Sequence, residues 1–425
     1  MQILKILHFY ILVSVPLTLI TGPFLPDLSI VLSAIFFLFF TIYYKNFKYY
    51  KNIFFIFFIL WCLYLIIRSL FSDNILLSLE SSLFHFRFGL FFLSIWYALD
   101  NYKNFIKYSF TFLLIGFLII IFDGYYQYFN GYNILGYKYD GFRLSGLFGN
   151  EKILGSYLSR LTPLLFAFLA YLNFNNKFTF FIIIFTLTSV DILVFLSGER
   201  SAFFYILMST LIIIFLVKRW KYVRIFTFFL ALFAISIITY NSEHVKSRMI
   251  DQTVKQFNIQ NSDNKINTFS PQHEALYLTS YFIFKDNIIF GIGPKMFREK
   301  CATAIDLENL RSYYIDQEVD LRTIQKCSTH THNTYIQLLV ETGITGSIPV
   351  ILLSLLIMYK LVKHFYFVIF KRIYIYSDYR ICLYAAVVIS LWPFIPTGNF
   401  FNNWLNVIYF LPVGFILYDN HRSLK

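Results

Sequence analysis

Apolar stretches recur along this chain from one end to the other, and each is about 17 to 20 residues long, which is enough to cross a lipid bilayer as a helix. Of the 425 residues, 58% are hydrophobic and 22% are aromatic, and the mean hydropathy is +0.62. A water-soluble domain could not bury that much apolar surface, whereas a membrane protein can leave it in contact with lipid. The sequence therefore predicts an all-α integral membrane protein.

About twelve of these stretches are predicted to span the membrane. They cover residues 4–20, 28–43, 53–70, 82–98, 106–122, 153–172, 178–196, 201–217, 225–240, 345–362, 381–394 and 405–418. The first resembles a secretion signal in length, but it has only Lys5 near its start, Pro16 inside it and no small-residue cleavage pattern. We therefore expect it to be retained as the first span.

Basic residues are concentrated in the loops on one side of the predicted helices. Tyr44–Lys51, Lys218–Arg224 and the loop between the tenth and eleventh helices are rich in Lys and Arg. The opposite loops, around Pro23–Asp27 and Pro396–Asn403, contain neither. Because short basic loops remain in the cytoplasm, both termini are expected there, and the second group of loops is expected outside.

The chain is expected to form one membrane domain with a large outer loop. Residues 1–240 hold the first nine helices, 241–332 form a mostly helical loop before the tenth, and 333–425 hold the last three. The loop contains eleven Lys or Arg and eleven Asp or Glu, so the net charge of +13 belongs to the rest of the chain. That charge favours contact with anionic membrane lipids. The sequence has no nucleic-acid motif, and no nucleic-acid partner is expected.

Two of the four cysteines, Cys301 and Cys327, lie in the outer loop. In an oxidising compartment such a pair is expected to form a disulfide. The alternative is a metal site in which these cysteines join His330 and His332. The single residue between the two histidines fits no common zinc spacing, so no metal site is expected.

A polar cluster precedes the tenth helix in the stretch CSTHTHNTYIQLLVETGITG, residues 327–346. Three of its side chains are four residues apart and share one helix face: Asn333, Gln337 and Glu341. His332 follows the potential cap residues Ser328 and Thr329 at the predicted helix start, where free N–H groups favour a nearby phosphate. A histidine there can accept a proton from a sugar hydroxyl. A hydrated helix start with no catalytic role remains an equal alternative on residue types alone.

The spacing of His332-Asn333, nine residues, Gly343, two residues and Gly346 resembles the signature of the O-antigen ligase and O-antigen polymerase family of bacterial envelopes. Three other passages resemble this family: RLSGLFGNEKILGSYL at 143–158, SGERSAFF at 197–204 and FGIGPKMFREKC at 290–301. The number of spans and the large loop before the histidine also match its layout. The resemblance covers most of the chain, although only the histidine signature is specific.

The resemblance implies an inverting, metal-independent glycosyltransferase of the membrane-embedded GT-C type, with no cofactor. Such proteins lie in the bacterial inner membrane and act on the periplasmic side in lipopolysaccharide biosynthesis. They transfer a glycan from a polyprenyl-diphosphate carrier such as undecaprenyl diphosphate. A ligase uses a lipid A-core sugar as acceptor, and a polymerase uses a second carrier-linked glycan. The histidine signature favours the ligase.

Four arginines are candidates for holding the diphosphate, because a guanidinium offers a permanent charge and forked donors. Arg200 matches the arginine of the family's outer-face motif, although Phe204 replaces the leucine usual four residues later. Arg248 begins the large loop, and Arg143 is expected to line the same outer cleft. Arg87 lies at predicted bilayer depth, where a charge is tolerated only beside a cavity or a partner.

His332 is expected either to take the proton of the acceptor hydroxyl or to position that hydroxyl, and the sequence leaves both roles open. Glu341 either orients His332 or completes the polar stripe. The other supporting residues are Asn333, Gln337, Gly343 and Gly346. A lipid-linked oligosaccharide flippase is the rival from another class, but a flippase needs neither the large loop nor an outer histidine motif.

Overall fold

The computed structural model describes residues 1–172, 174, 176–257, 269–304 and 327–423. These residues form α-helices, with no β-strand among them, and the helices are numbered here in chain order. They are α1 Gln2–Val13, α2 Val15–Thr18, α3 Phe24–Tyr43, α4 Ile53–Leu70, α5 Ile75–Ser82, α6 Arg87–Asn101, α7 Phe105–Asn130, α8 Leu154–Tyr171, α9 Lys177–Leu196, α10 Arg200–Leu216, α11 Lys221–Asn241, α12 Glu243–Lys246, α13 Gln252–Phe257, α14 Pro271–Asp286, α15 Phe297–Lys300, α16 Thr334–Tyr366, α17 Asp378–Ser390 and α18 Asn403–Ser423.

Seven helical segments in the described part of the chain are long and apolar enough to cross a membrane. They are Phe24–Tyr43, Ile53–Leu70, Ile75–Asn101, Phe105–Asn130, Lys177–Leu196, Lys221–Asn241 and Thr334–Lys371. Two shorter apolar helices, Gln2–Val13 and Arg200–Leu216, accompany them. The fold is therefore that of a membrane protein with several spans, but this number is smaller than the twelve expected from the sequence.

Two of the expected spans that are missing from this set lie inside the helix bundle. Helix α8 packs against α10 and α17, and almost every residue from Leu154 to Leu169 is buried. Helix α17 is only 13 residues long and is buried over most of its length. A helix enclosed by other helices faces protein rather than lipid, so it can contain polar residues such as Arg160.

Several expected boundaries are wrong, for identifiable reasons. The first span is divided at Ser14, next to Pro16, because proline cannot continue a regular helix. The predicted fourth span, 82–98, begins at Arg87, after a separate helix and a turn. The predicted fifth span, 106–122, continues to Asn130 as α7, because the polar residues beyond its expected end are satisfied by the loop that follows.

Helix α16 begins at Thr334, before the expected start at residue 345, and it breaks at Gly343, where φ is 64° and ψ is −173°. Residues 288–293, called here the insert segment, fill the break. Four backbone hydrogen bonds join the insert segment to α16. They run from Ile344 N to Ile288 O at 2.9 Å, from Thr345 N to Ile289 O at 3.2 Å, from Ile292 N to Val340 O at 3.0 Å and from Gly293 N to Glu341 O at 2.8 Å. The insert segment thus satisfies backbone groups that the break leaves without helical partners.

Residues 242–333 connect α11 to α16, and the end of the bundle from which they extend is called the loop face. Their described parts include α12 to α15, and α14 packs against α16. Leu276 and Ile283 of α14 share a small apolar cluster with Val340 of α16. This contact and the insert segment hold the described part of the loop against the start of α16.

Candidate active site

Three of the four candidate arginines come together at the loop face. Arg248 donates from Nε to the carbonyl oxygen of Gly198 at 3.2 Å, two residues before Arg200. Arg143 is held by the loop before α8, because its Nη2 donates to the carbonyl oxygen of Lys152 at 2.6 Å. Burial lowers the pKa of Arg248, and the charges of Arg200 and Arg143 lower it further. Arg143, Arg200 and Arg248, called here the arginine group, therefore form a concentrated positive charge.

A buried carboxylate fixes the start of α10, where Arg200 lies. Glu199 accepts hydrogen bonds from the backbone N–H of Gly155 at 2.7 Å and from the hydroxyl of Ser156 at 2.8 Å. Burial raises the pKa of Glu199, while the neighbouring Arg143 charge opposes that rise. Glu199 thus joins the first turn of α8 to the first turn of α10, a role that the sequence analysis did not assign to it.

Arg87, the fourth candidate arginine, makes its hydrogen bonds to other helix ends. Its Nη2 donates to Asp27 at 2.7 Å and to the side-chain oxygen of Asn403 at 2.9 Å. An ion pair between helix ends satisfies the requirement that a charge in a membrane domain has a partner. The sequence analysis expected Arg87 to lie beside a cavity or a partner, and the partner in the structure is the carboxylate of Asp27.

Three imidazole rings lie beside the arginine group. The centroid of the His332 ring is 4.1 Å from that of His330 and 5.6 Å from that of His273. His332 has a left-handed backbone conformation with φ of 55°, and its carbonyl oxygen accepts a hydrogen bond from the N–H of Thr397 at 2.9 Å. His273 comes from the first turn of α14 and was not predicted. These three residues are called here the histidine group.

All three histidines favour the neutral form. Burial lowers the pKa of His332 from its ordinary value. Burial, together with the charges of His332 and Arg200, lowers the pKa of His273 to about 4. Burial and the neighbouring His332 lower the pKa of His330 to about 3. The effect of the Arg200 charge on the pKa of His273 indicates that Arg200 lies near the histidine group.

The polar stripe after His332 supports the local structure. Asn333, rather than Ser328 or Thr329, caps α16: its side-chain oxygen accepts from the N–H groups of Tyr335 and Ile336 at 3.0 and 3.1 Å. Its amide also donates to the carbonyl oxygen of Pro393 at 2.7 Å. Both polar side-chain atoms of Asn333 are therefore used to fix the turn that carries His332.

Gln337 and Glu341 continue this support toward the large loop. Gln337 donates to Glu341 at 2.9 Å and to Asn399 at 2.8 Å. Glu341 is buried, and its other oxygen accepts from the N–H of Phe297 at 3.4 Å. Glu341 therefore completes the polar stripe, and its contacts in the described part of the chain do not include His332.

The two glycines of the histidine signature allow close approach of neighbouring chain. A Cβ atom at Gly343 would overlap the carbonyl oxygen of Ile289 in the insert segment. At Gly346 it would lie 2.5 Å from the ring of Tyr64, and the Gly346 carbonyl accepts from Trp61 Nε1 at 2.7 Å. The spacing of the signature therefore reflects packing of α16 against the insert segment and α4.

Arg160 is a second residue whose position the sequence did not reveal. The residue is only 3% exposed. It donates to the carbonyl oxygen of Ser390 at 3.0 Å and to the hydroxyls of Tyr205 and Thr397 at 3.2 Å each. No carboxylate of the described residues pairs with it. Thr397 also donates its backbone N–H to the His332 carbonyl. Arg160 is therefore a buried positive charge that is linked to the turn of His332 through Thr397.

Cys301 and Cys327 form a disulfide, with Cα atoms 5.0 Å apart, which is the pairing expected from the sequence. Their sulfur atoms therefore do not join His330 and His332 as metal ligands. Within the described ranges, no group of three or more His, Cys, Asp or Glu side chains is arranged to hold a metal ion.

The fold and the site define an all-α membrane protein with adjoining arginine and histidine groups on one face. Residues 181–351 match the family model described as O-Antigen ligase. This range includes Arg200, Arg248 and the complete His332 signature, and the match confirms the resemblance to this family seen in the sequence. A comparison with curated proteins gives no match.

Proposed function

We propose that this protein is an O-antigen ligase-like glycosyltransferase that moves a glycan from a polyprenyl-diphosphate carrier to a sugar hydroxyl of lipid A-core. The reaction takes place at the periplasmic side of the bacterial inner membrane. The family match supports an activity of the ligase or polymerase type. The observation that carries the proposal is the placement of two clusters near each other: Arg248 binds the carbonyl of Gly198 next to Arg200, and the charge of Arg200 lowers the pKa of His273, whose ring lies against that of His332.

The arginine group suits the donor. A diphosphate is both the anchor of the lipid carrier and the leaving group, so positive charges must bind it and stabilise the charge that develops on it. After burial, the charges of Arg200 and Arg143 lower the pKa of Arg248, so these cations repel one another, and Asp140 only partly offsets the repulsion. Binding of a diphosphate relieves that repulsion, which favours an anionic ligand over a neutral one.

The histidine group suits the acceptor. In the proposed reaction the acceptor oxygen forms a bond to the anomeric carbon, and the bond from that carbon to the diphosphate oxygen breaks with inversion. The hydroxyl proton passes to His332, whose neutral form is favoured by burial. The electron pair of the broken bond leaves on the diphosphate, next to the arginine group. This mechanism requires neither a metal ion nor a nucleotide.

Envelope glycans of a deletion strain test the proposal. The strain is complemented with wild type, His332→Ala or Arg200→Ala, and with Lys246→Ala, an exposed loop cation, as the control. We expect His332→Ala and Arg200→Ala each to lower product formation about a hundredfold or more at equal protein level, while Lys246→Ala restores it. Full restoration by both site variants would overturn the proposed site.

The accumulating glycans identify the acceptor. Lipid A-core without polymer, together with long carrier-linked chains, supports the ligase. Core bearing a single repeat contradicts the ligase and indicates the polymerase. Purified protein in liposomes separates an enzyme from a flippase: glycan transfer without an energy source supports the enzyme, and movement of the lipid-linked glycan without transfer overturns the proposal.

A further inference from the structure

We propose that His273, in the large loop, binds the attacking hydroxyl of the acceptor together with His332. This inference rests on the proposed glycosyl transfer and adds a specific residue to it. It makes the loop a part of the acceptor site. The sugar hydroxyl is held between two imidazoles from different parts of the chain, one from α14 and one from the turn before α16.

The orientation of the His273 ring supports this role. The hydroxyl of Ser270, the cap residue of α14, lies 2.7 Å from Nδ1 of His273. This contact leaves Nε2 as the ring nitrogen available for a ligand. The rings of His273 and His332 meet edge to face, with an interplanar angle of 82° and centroids 5.6 Å apart. The ring of His273 therefore lies directly beside the ring of the proposed base.

The charge state of His273 favours a hydroxyl over a phosphate. Burial and the charges of His332 and Arg200 lower its pKa to about 4, so the ring is neutral near pH 7. A neutral imidazole has one donor and one acceptor nitrogen, which complements a hydroxyl. The phosphate oxygens need donors with positive charge, and Arg200 already supplies one beside His273.

The position of His273 is fixed by the contacts that the rest of α14 makes. Helix α14 packs its apolar face against α16 through Leu276 and Ile283, and the insert segment follows directly after α14. One turn along α14, the ring of Tyr277 lies against that of His273, with centroids 6.3 Å apart. His273 therefore meets His332 because the loop is anchored to the same helix that His332 precedes.

Kinetics with separated substrates test the assignment. A strain lacking the protein supplies a lipid extract containing both the carrier-linked glycan and lipid A-core. Each lipid is purified from it and varied at a fixed level of the other, with the protein in liposomes. We compare wild type with His273→Ala and His273→Gln. Gln272→Ala, an exposed change on the same turn, is the control.

For His273→Ala we expect the KM for the acceptor to rise about tenfold or more, with the KM for the donor unchanged. His273→Gln should recover part of the loss because an amide can still bind a hydroxyl, and Gln272→Ala should behave as wild type. Unchanged acceptor KM in a folded His273→Ala protein overturns the inference. A rise in the donor KM, or a loss shared equally with Gln272→Ala, overturns it as well.

The outcomes also separate this inference from the proposed function. If wild type forms no product from the purified lipids, the proposed function fails and His273 loses its role with it. If wild type is active, His332→Ala is inactive and His273→Ala is normal, only the inference about His273 fails. Should His273→Ala not fold, His273→Gln gives the decisive acceptor KM, and a normal value overturns the assignment.

Discussion

At the scale of single residues, His332 combines an unusual backbone conformation with a crowded side chain. Its φ of 55° is uncommon for a residue with a side chain, although histidine is among those that tolerate this region. The conformation turns the chain between the loop and α16, while the bond from Thr397 to its carbonyl holds the turn. Asn333 then starts the helix at once. The catalytic side chain proposed here is therefore placed by its neighbours before any substrate binds.

The rate of glycan transfer is expected to persist below pH 6.5 and to fall only at lower pH. Burial lowers the pKa of His332 from 6.5, so its neutral form remains populated below that value. A base acts only when unprotonated, and the activity is therefore lost as the pH falls through the lowered pKa. Initial rates of glycan transfer, measured in liposomes at pH values above and below 6.5, give the pH at which the activity is lost. An acid limb with its midpoint above 6.5 contradicts the prediction.

The sequence indicated candidate site residues at helix ends but not the residues that only packing brings to them. His332, Arg200 and Arg248 adjoin predicted spans, so the topology predicts that they share the outer side of the membrane. His273 is far from His332 in sequence, and only the docking of α14 brings the two together. Arg160 was not among the sequence candidates, and it is buried because α10 and α17 enclose α8.

At the scale of helices, the interruption of α16 is the feature that joins the loop to the membrane domain. The sequence predicted a helix from residue 345 and a polar stripe ahead of it. It could not predict that both belong to one helix with a break, because the break is stabilised by the distant insert segment. Arg68 of α4 reinforces the junction by donating to the carbonyl oxygens of Phe290 and Gly291.

Gly343→Ala is expected to destabilise this junction strongly. The new Cβ atom would overlap the Ile289 carbonyl, and alanine does not readily adopt the φ of 64°. We expect a loss on the order of 3 kcal/mol or more, measured as the folded fraction recovered after heating in detergent. Gly136→Ala is the control, since its φ is also positive, at 86°, but no atom lies within 4 Å. Equal behaviour of the two variants contradicts the steric explanation.

At the scale of the whole molecule, the protein is a helical membrane domain whose loop face is closed by the described parts of one loop. Composition and apolar periodicity predicted the class correctly. Seven helical segments of the described residues are long and apolar enough to cross a membrane, compared with the twelve predicted, and the buried helices α8 and α17 are not among the seven. The Cys301–Cys327 disulfide links two parts of the loop to each other, and the insert segment links the loop to α16.

Reduction of the disulfide is expected to weaken the loop without unfolding the helices. Opening a loop closed over 26 residues of sequence increases the entropy of the unfolded chain, at a cost of about 3 kcal/mol. Limited proteolysis with and without reductant measures the effect, and a Cys301→Ser/Cys327→Ser protein is the control that reductant should not change. Free thiols at both positions in the oxidised, purified protein contradict the pairing.

The insert segment also sets a rule for exchanging loops between proteins of this kind. A loop taken from a relative and joined at residues 242 and 333 replaces the stretch of chain that completes α16. Unless the new loop supplies backbone groups that hydrogen-bond at the break in α16, the N–H and C=O groups at that break remain without partners inside a membrane domain. Chimeras are therefore best designed by transplanting the loop and the first half of α16 as one unit.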